Sequence, residues 1–131
     1  MKNIMKNIYA LLFLVFAISD GSKAQSYQKT DYGIKTDANS IRIEIQFYTP
    51  SIVRILKSPQ GSIFSKESLS VIKTPQKTKI AINQNGDVLT VSSEIIKVKL
   101  NLKSGQVVFA DRKGKHLLSE KVSGITFTDF N

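Results

Sequence analysis

The chain has 131 residues, a formal charge of +9 from 19 basic and 10 acidic side chains, and neither cysteine nor tryptophan. That length allows one domain and excludes a multidomain machine, while the missing cysteine excludes disulfides, thiolate zinc sites and cysteine nucleophiles. One histidine cannot build a histidine metal cage, and 41% apolar with 22% charged residues is the balance of a folding domain rather than a disordered tail.

In chain order, the first element is an address. Met1 to Asn7 carries Lys2 and Lys6 without an acid, and Ile8 to Ile18 is an unbroken apolar run of 11 residues. Ser22 and Ala24 then place small side chains three residues and one residue before Gln25. A basic start, a short apolar core and a small-x-small site predict a cleavable signal peptide over 1–24 and a mature domain over 25–131. The run is too short to span a bilayer, which takes about 20 apolar residues. An exported chain with no membrane span after cleavage is expected. Cleavage removes three lysines and one acid and leaves +7 over 107 residues.

The mature chain alternates with a period of two. Ile41, Ile43, Ile45 and Phe47 interleave with Arg42, Glu44, Gln46 and Tyr48; Ile96, Val98, Leu100 and Leu102 interleave with Lys97, Lys99, Asn101 and Lys103. Side chains at i and i+2 share one face of a strand but lie about 200° apart around a helix, so both runs predict strands. Asp37 to Ser40 leads into the first, and Thr49-Pro50-Ser51 joins it to a strand over Ile52–Lys57 that ends at Pro59-Gln60-Gly61. Ser58 to Thr78 reads as a long connection, with a short strand at Leu69–Ile72. Asn85-Gly86 predicts a hairpin between Lys79–Asn83 and Val88–Ser92. Ser104-Gly105 and Lys113-Gly114 set off strands at Gln106–Ala110 and His116–Ser119, and Ile125–Thr128 begins another. No stretch offers a 3.6-residue period over ten residues. The expected fold is all-β, an antiparallel β-sandwich.

The chemistry-bearing residues form no recognisable motif. His116 could join Ser119 with Glu120 or Asp111 as a triad, but a histidine after a Lys-Gly-Lys turn is the ordinary start of a surface strand. The mature acids are Asp31, Asp37, Glu44, Glu67, Asp87, Glu94, Asp111, Glu120 and Asp129. Asp37, Asp87 and Asp111 suit turns, Glu44 the polar side of a strand, and no two form a glycosidase pair. Lys97, Lys99 and Lys103 would line one face, but without interleaved aromatic residues the row is a solvated face, and no nucleic acid is expected. Phe47 and Phe109 suit the core, which leaves Tyr27, Tyr32 and Tyr48 as candidate sugar platforms. Arg54, flanked by apolar residues, would need a carboxylate or carbonyl partner. No catalytic, cofactor-binding or metal-ligating residue is assigned, and no substrate-binding residue is identified.

The run SIRIEIQFYTPSIVRILKSPQG (Ser40 to Gly61), with KESLSVIKTP (Lys66 to Pro75) and VKLNLKSGQVVFADRKGKHLLSEK (Val98 to Lys121), resembles the N-terminal β-sandwich region of glycoside hydrolase family 31 enzymes. The likeness is greatest to the secreted α-xylosidases and α-glucosidases of Gram-negative bacteria. It spans about residues 27 to 130 and contains no catalytic motif. It implies a galactose-mutarotase-like sandwich ahead of a (β/α)8 barrel that carries an Asp nucleophile and an Asp acid/base. The family's nucleophile motif contains Trp, which this chain lacks, so none of its acids takes either role.

The resemblance therefore implies a fragment of a carbohydrate-metabolising enzyme, its sandwich incomplete at the C-terminal end and the barrel domain missing. It favours α-xylosidase over α-glucosidase, with an α-linked oligosaccharide as the parent enzyme's substrate. It also implies a scaffolding role, with Ser58–Thr78 lending a loop to the cleft rim, and a periplasmic or extracellular location. The alternative reading is a stand-alone secreted β-sandwich that binds a glycan or protein partner without catalysis.

Overall fold

The structure, a computed structural model, describes residues 26–62, 71–122, 125, 127 and 128. The leader expected over 1–24 lies outside them. Nine strands occur among the described residues: β1 Gln28–Lys29, β2 Gly33–Ala38, β3 Ile41–Thr49, β4 Ile52–Pro59, β5 Ala81–Asn85, β6 Val88–Ser92, β7 Ile96–Asn101, β8 Val107–Asp111 and β9 His116–Ser119. They make two antiparallel sheets, ordered β1-β2-β3-β4 and β5-β6-β7-β8-β9, so within each sheet every strand pairs with its neighbour in the chain.

The alternation in the sequence becomes the core. Ile41, Ile43, Ile45 and Phe47 of β3 are at most 4% exposed, and Ile34 on β2 lies opposite Ile45. Leu89, Val91, Val98, Leu100 and Val107 answer from the second sheet, and the two sets form one cluster. Each such side chain contributes about 1.5–3 kcal/mol on burial. Polar ties fix the sheets across the cluster: Ser26 Oγ donates to Gln84 Oε1 at 2.6 Å, and Ser93 Oγ donates to the Pro50 carbonyl. This is the all-β sandwich that the sequence predicts.

Details depart from the sequence reading for identifiable reasons. The strand β2 carries no alternating signal in the sequence, because only Ile34 in Gly33–Ala38 is a large apolar residue. Its glycine has a steric role. A Cβ at Gly33 would stand 1.8 Å from the Ile45 carbonyl oxygen, so only a bare α-carbon lets β2 lie this close to β3. The β2–β3 loop is Asn39-Ser40, with φ of 51° and 60°. Two residues of positive φ in a two-residue loop are the signature of a type I′ turn, here made without glycine. At Asn85-Gly86 the hairpin forms one residue later than expected. Asn85 pairs with Val88, so the loop is Gly86-Asp87, with positive φ at Gly86 alone, the type II′ pattern.

Leu102 falls in the turn after β7 rather than within the strand, and packs partly buried against the core. Of the strand expected at Leu69–Ile72, Val71 and Ile72 lie in no strand and the rest is outside the described residues; Ile125, Phe127 and Thr128 likewise lie in none.

Candidate functional site

The first candidates, His116, Ser119, Asp111 and Glu120, come together around β8 and β9 but make no triad. His116 opens β9 opposite Ala110, and Ser119 lies opposite Val108; both are exposed. Asp111 Oδ1 accepts the Lys115 N–H at 2.8 Å and closes the β8–β9 turn. No hydrogen bond joins His116 to a serine or an acid among the described residues.

Glu120 has a different task. Its Oε2 accepts from Lys57 Nζ at 2.6 Å and from the Val107 N–H at 2.8 Å, while Lys57 Nζ also donates to the Gly105 carbonyl at 2.7 Å. Lys57 occupies a core-facing position of β4, opposite Ile43, and only 5% of its side chain is exposed. An ammonium so placed needs charge and lone pairs supplied to it. The second sheet supplies both, making a clasp between the sheets.

Four other described acids also stand against cations. Lys35 Nζ meets Glu44 at 2.9 Å and Arg42 Nε meets Asp37 at 3.1 Å, both directly across the β2–β3 ladder. The Asp37 expected in a turn is thus a strand residue. The hydrogen bond that Arg42 donates to Asp37, helped by the charge of Asp37 and by that of Glu44, raises the Arg42 pKa. Lys103 meets Asp87 at 2.7 Å, and that hydrogen bond and charge raise the lysine's pKa too. Lys77 and Asp31 stand 4.0 Å apart, and Glu94 is exposed in the loop before β7. Glu67 and Asp129 lie outside the described residues. Each of these pairings sets a carboxylate against a cation, and Asp37 and Glu44 share one face of the β2–β3 ladder with Arg42 between them.

Arg54 is half-buried on the outer face of β4, opposite Gln46. Its Nη1 donates to the Tyr48 hydroxyl at 3.2 Å, so the partner is a phenol rather than the expected carboxylate or carbonyl. Of the candidate platforms, Tyr48 is 5% exposed and Tyr27 packs partly buried against the core, which leaves Tyr32, 40% exposed, with a ring open to solvent. Phe47 is fully buried, and Phe109 packs partly buried against the core.

Two clefts remain. One, of about 640 Å³, lies over the outer face of the first sheet, where the pairs Lys35–Glu44 and Asp37–Arg42, with Tyr27 and Ser58, give it a polar lining. The other, of about 490 Å³, lies between Pro50, the segment Gln76 to Ala81, and the loop Ser92 to Glu94. It is the place where the end of the long connection meets loops from both sheets. Hydroxyls, amides and charged pairs in these clefts can hydrogen-bond a polar ligand.

No family model matches the chain. It is 26% identical over 109 residues to Alpha-glucosidase 2 of Bacillus thermoamyloliquefaciens, a match over 83% of this chain and 14% of that protein. Its fold is that of part of the GH31 α-xylosidase from Xanthomonas citri, with a TM-score of 0.66 and 23% identity over 74% of this chain and 11% of that one. The expected resemblance to family 31 enzymes is met in fold by a solved α-xylosidase of that family, and the sequence match is to an α-glucosidase. The chain spans well under a fifth of the length of either protein.

Proposed function

We propose that this sandwich is the N-terminal accessory domain of a longer, exported, retaining α-glycosidase, acting on α-xylosides ahead of α-glucosides. One observation carries the reading: a sequence match along 83% of this chain that occupies only 14% of a protein named as an α-glucosidase. The likeness to a solved α-xylosidase supports the xyloside preference, and the Met1–Ala24 pattern supports export. The accessory role is supported by Asp37, Glu44, Asp87 and Glu120, each of which is engaged with a cation of the sandwich itself. In this reading the domain packs on a catalytic barrel, and the connection expected over Ser58–Thr78, whose first two residues the structure places in β4 and whose end lies at the cleft beside Pro50 and Ser93, contributes to the rim of the substrate site.

The test begins with the coding sequence beyond codon 131. A barrel with two catalytic aspartates is expected, and the whole enzyme should release p-nitrophenol from the α-xyloside faster than from the α-glucoside. The 131-residue chain alone should release none. Turnover by that chain above a heat-killed control would overturn the proposal, as would a stop codon there with a soluble, glycan-binding product.

A further inference from the structure

We propose that the outer face of the five-stranded sheet binds a linear acidic polysaccharide. The strand register assembles a basic surface from two separate stretches of sequence. Lys97 of β7 lies opposite Ala110 of β8, which lies opposite His116 of β9. One step along, Lys99 lies opposite Val108, which lies opposite Ser119. The turn that joins β8 to β9 adds Arg112, Lys113 and Lys115, all exposed. Lys103, which the sequence places in this row, leaves it to pair with Asp87.

Among the described residues no carboxylate comes within 4.0 Å of the charged end of Lys97, Lys99, Arg112, Lys113 or Lys115. The nearest acids in the chain are Glu94, in the loop before β7, and Asp111, whose Oδ1 already accepts the Lys115 N–H. Four exposed cations and the half-buried Lys97 therefore lie together on this side of the sheet. Such a surface concentrates anions around it.

The form of the surface selects the anion. Lys97 and Lys99 are about 7 Å apart along their strand, and β9 lies about 10 Å across the sheet from β7. Charges spread on that scale over a flat face suit a polymer with repeated carboxylates, whereas a single small anion needs convergent donors. Neither cleft described above is lined by these residues. No aromatic ring stands between the lysines, so the stacking platform that single-stranded nucleic acid uses is missing. The apolar residues between them, Val108 and Ala110, are half-buried and buried, and give a lipid surface no large side chain to take up. Leu117 is exposed, but on the edge strand. The inference does not depend on the glycosidase reading.

Affinity electrophoresis of the full chain through gels containing polygalacturonate tests it. Retardation is expected at about 50 mM salt and should vanish by about 300 mM, where the Debye length is shorter than the spacing of the charges. The variant Lys97→Gln/Lys99→Gln/Lys113→Gln should bind about tenfold more weakly, with an unchanged thermal transition. Lys103→Gln should change binding less than about twofold, since its charge is already paired. No retardation at low salt, equal retardation of the triple variant, or tighter binding to poly(dT) or to phosphatidylglycerol vesicles than to polygalacturonate would overturn the proposal.

Discussion

The clasp between Lys57 and Glu120 allows a quantitative prediction. In Glu120→Gln the side-chain oxygen can still accept the Val107 N–H, but the countercharge is lost, and Lys57 keeps only the Gly105 carbonyl. Removing one partner of a buried ion pair costs about 3–5 kcal/mol. Here the Lys57 side chain is 5% exposed but that of Glu120 is 27% exposed, so water recovers part of the loss. About 2 kcal/mol is expected for the single substitution. In a domain of this size that lowers Tm by roughly 8–16 °C.

Replacing both partners, Lys57→Met with Glu120→Gln, removes the stranded charge and should restore most of the loss, because apolar isosteres of a buried pair are often neutral or stabilising. Urea unfolding followed by far-UV circular dichroism for the wild type, both single variants and the double variant gives the coupling energy directly. A coupling below about 0.5 kcal/mol, or a double variant as unstable as the sum of the singles, would refute the assignment of the clasp.

Two further substitutions test the backbone. Gly33→Ala should destabilise by at least about 2 kcal/mol, since a methyl group 1.8 Å from the Ile45 carbonyl forces β2 away from β3; a urea midpoint unchanged from wild type would contradict the close approach. Ser40→Gly should stabilise by about 0.5 kcal/mol, the relief of a left-handed residue at φ 60° slightly exceeding the added entropy of glycine; a lowered midpoint would contradict the type I′ geometry.

What the sequence made legible was whatever had a strong local period. The strands β3 and β7 announce themselves because isoleucine, valine, leucine and phenylalanine fill every second position. By contrast, β2 does not, since Thr36 and Ala38 carry little apolar signal although Thr36 is 6% and Ala38 3% exposed. Once β2 is missed, Asp37 looks like a turn residue and its pairing with Arg42 cannot be seen. Arg54 fails for another reason. Its apolar neighbours suggest burial on both sides, yet β4 is an edge strand, and the ladder irregularity between Phe47 and Thr49 falls at Tyr48, the residue whose hydroxyl meets it. The clasp had no local signal at all, because Lys57 and Glu120 are 63 residues apart and only the docking of two sheets brings them together. The basic face is half legible: Lys97 and Lys99 show in the period, whereas Arg112, Lys113 and Lys115 join them only through the β7–β8–β9 register.

The strand order has a kinetic consequence. Because each sheet is a meander, all ladder contacts are short in sequence, and every hairpin can close at small entropic cost. Among the described residues, the side-chain hydrogen bonds of longest sequence separation join the two halves of the sandwich: Ser26 with Gln84, Pro50 with Ser93, Lys57 with Gly105 and Glu120. Folding should therefore be faster than for a sandwich of interleaved Greek-key strands, with the docking of two preformed meanders as its slow step. Substitutions in the clasp, formed after that barrier, should speed unfolding and leave the refolding rate nearly unchanged.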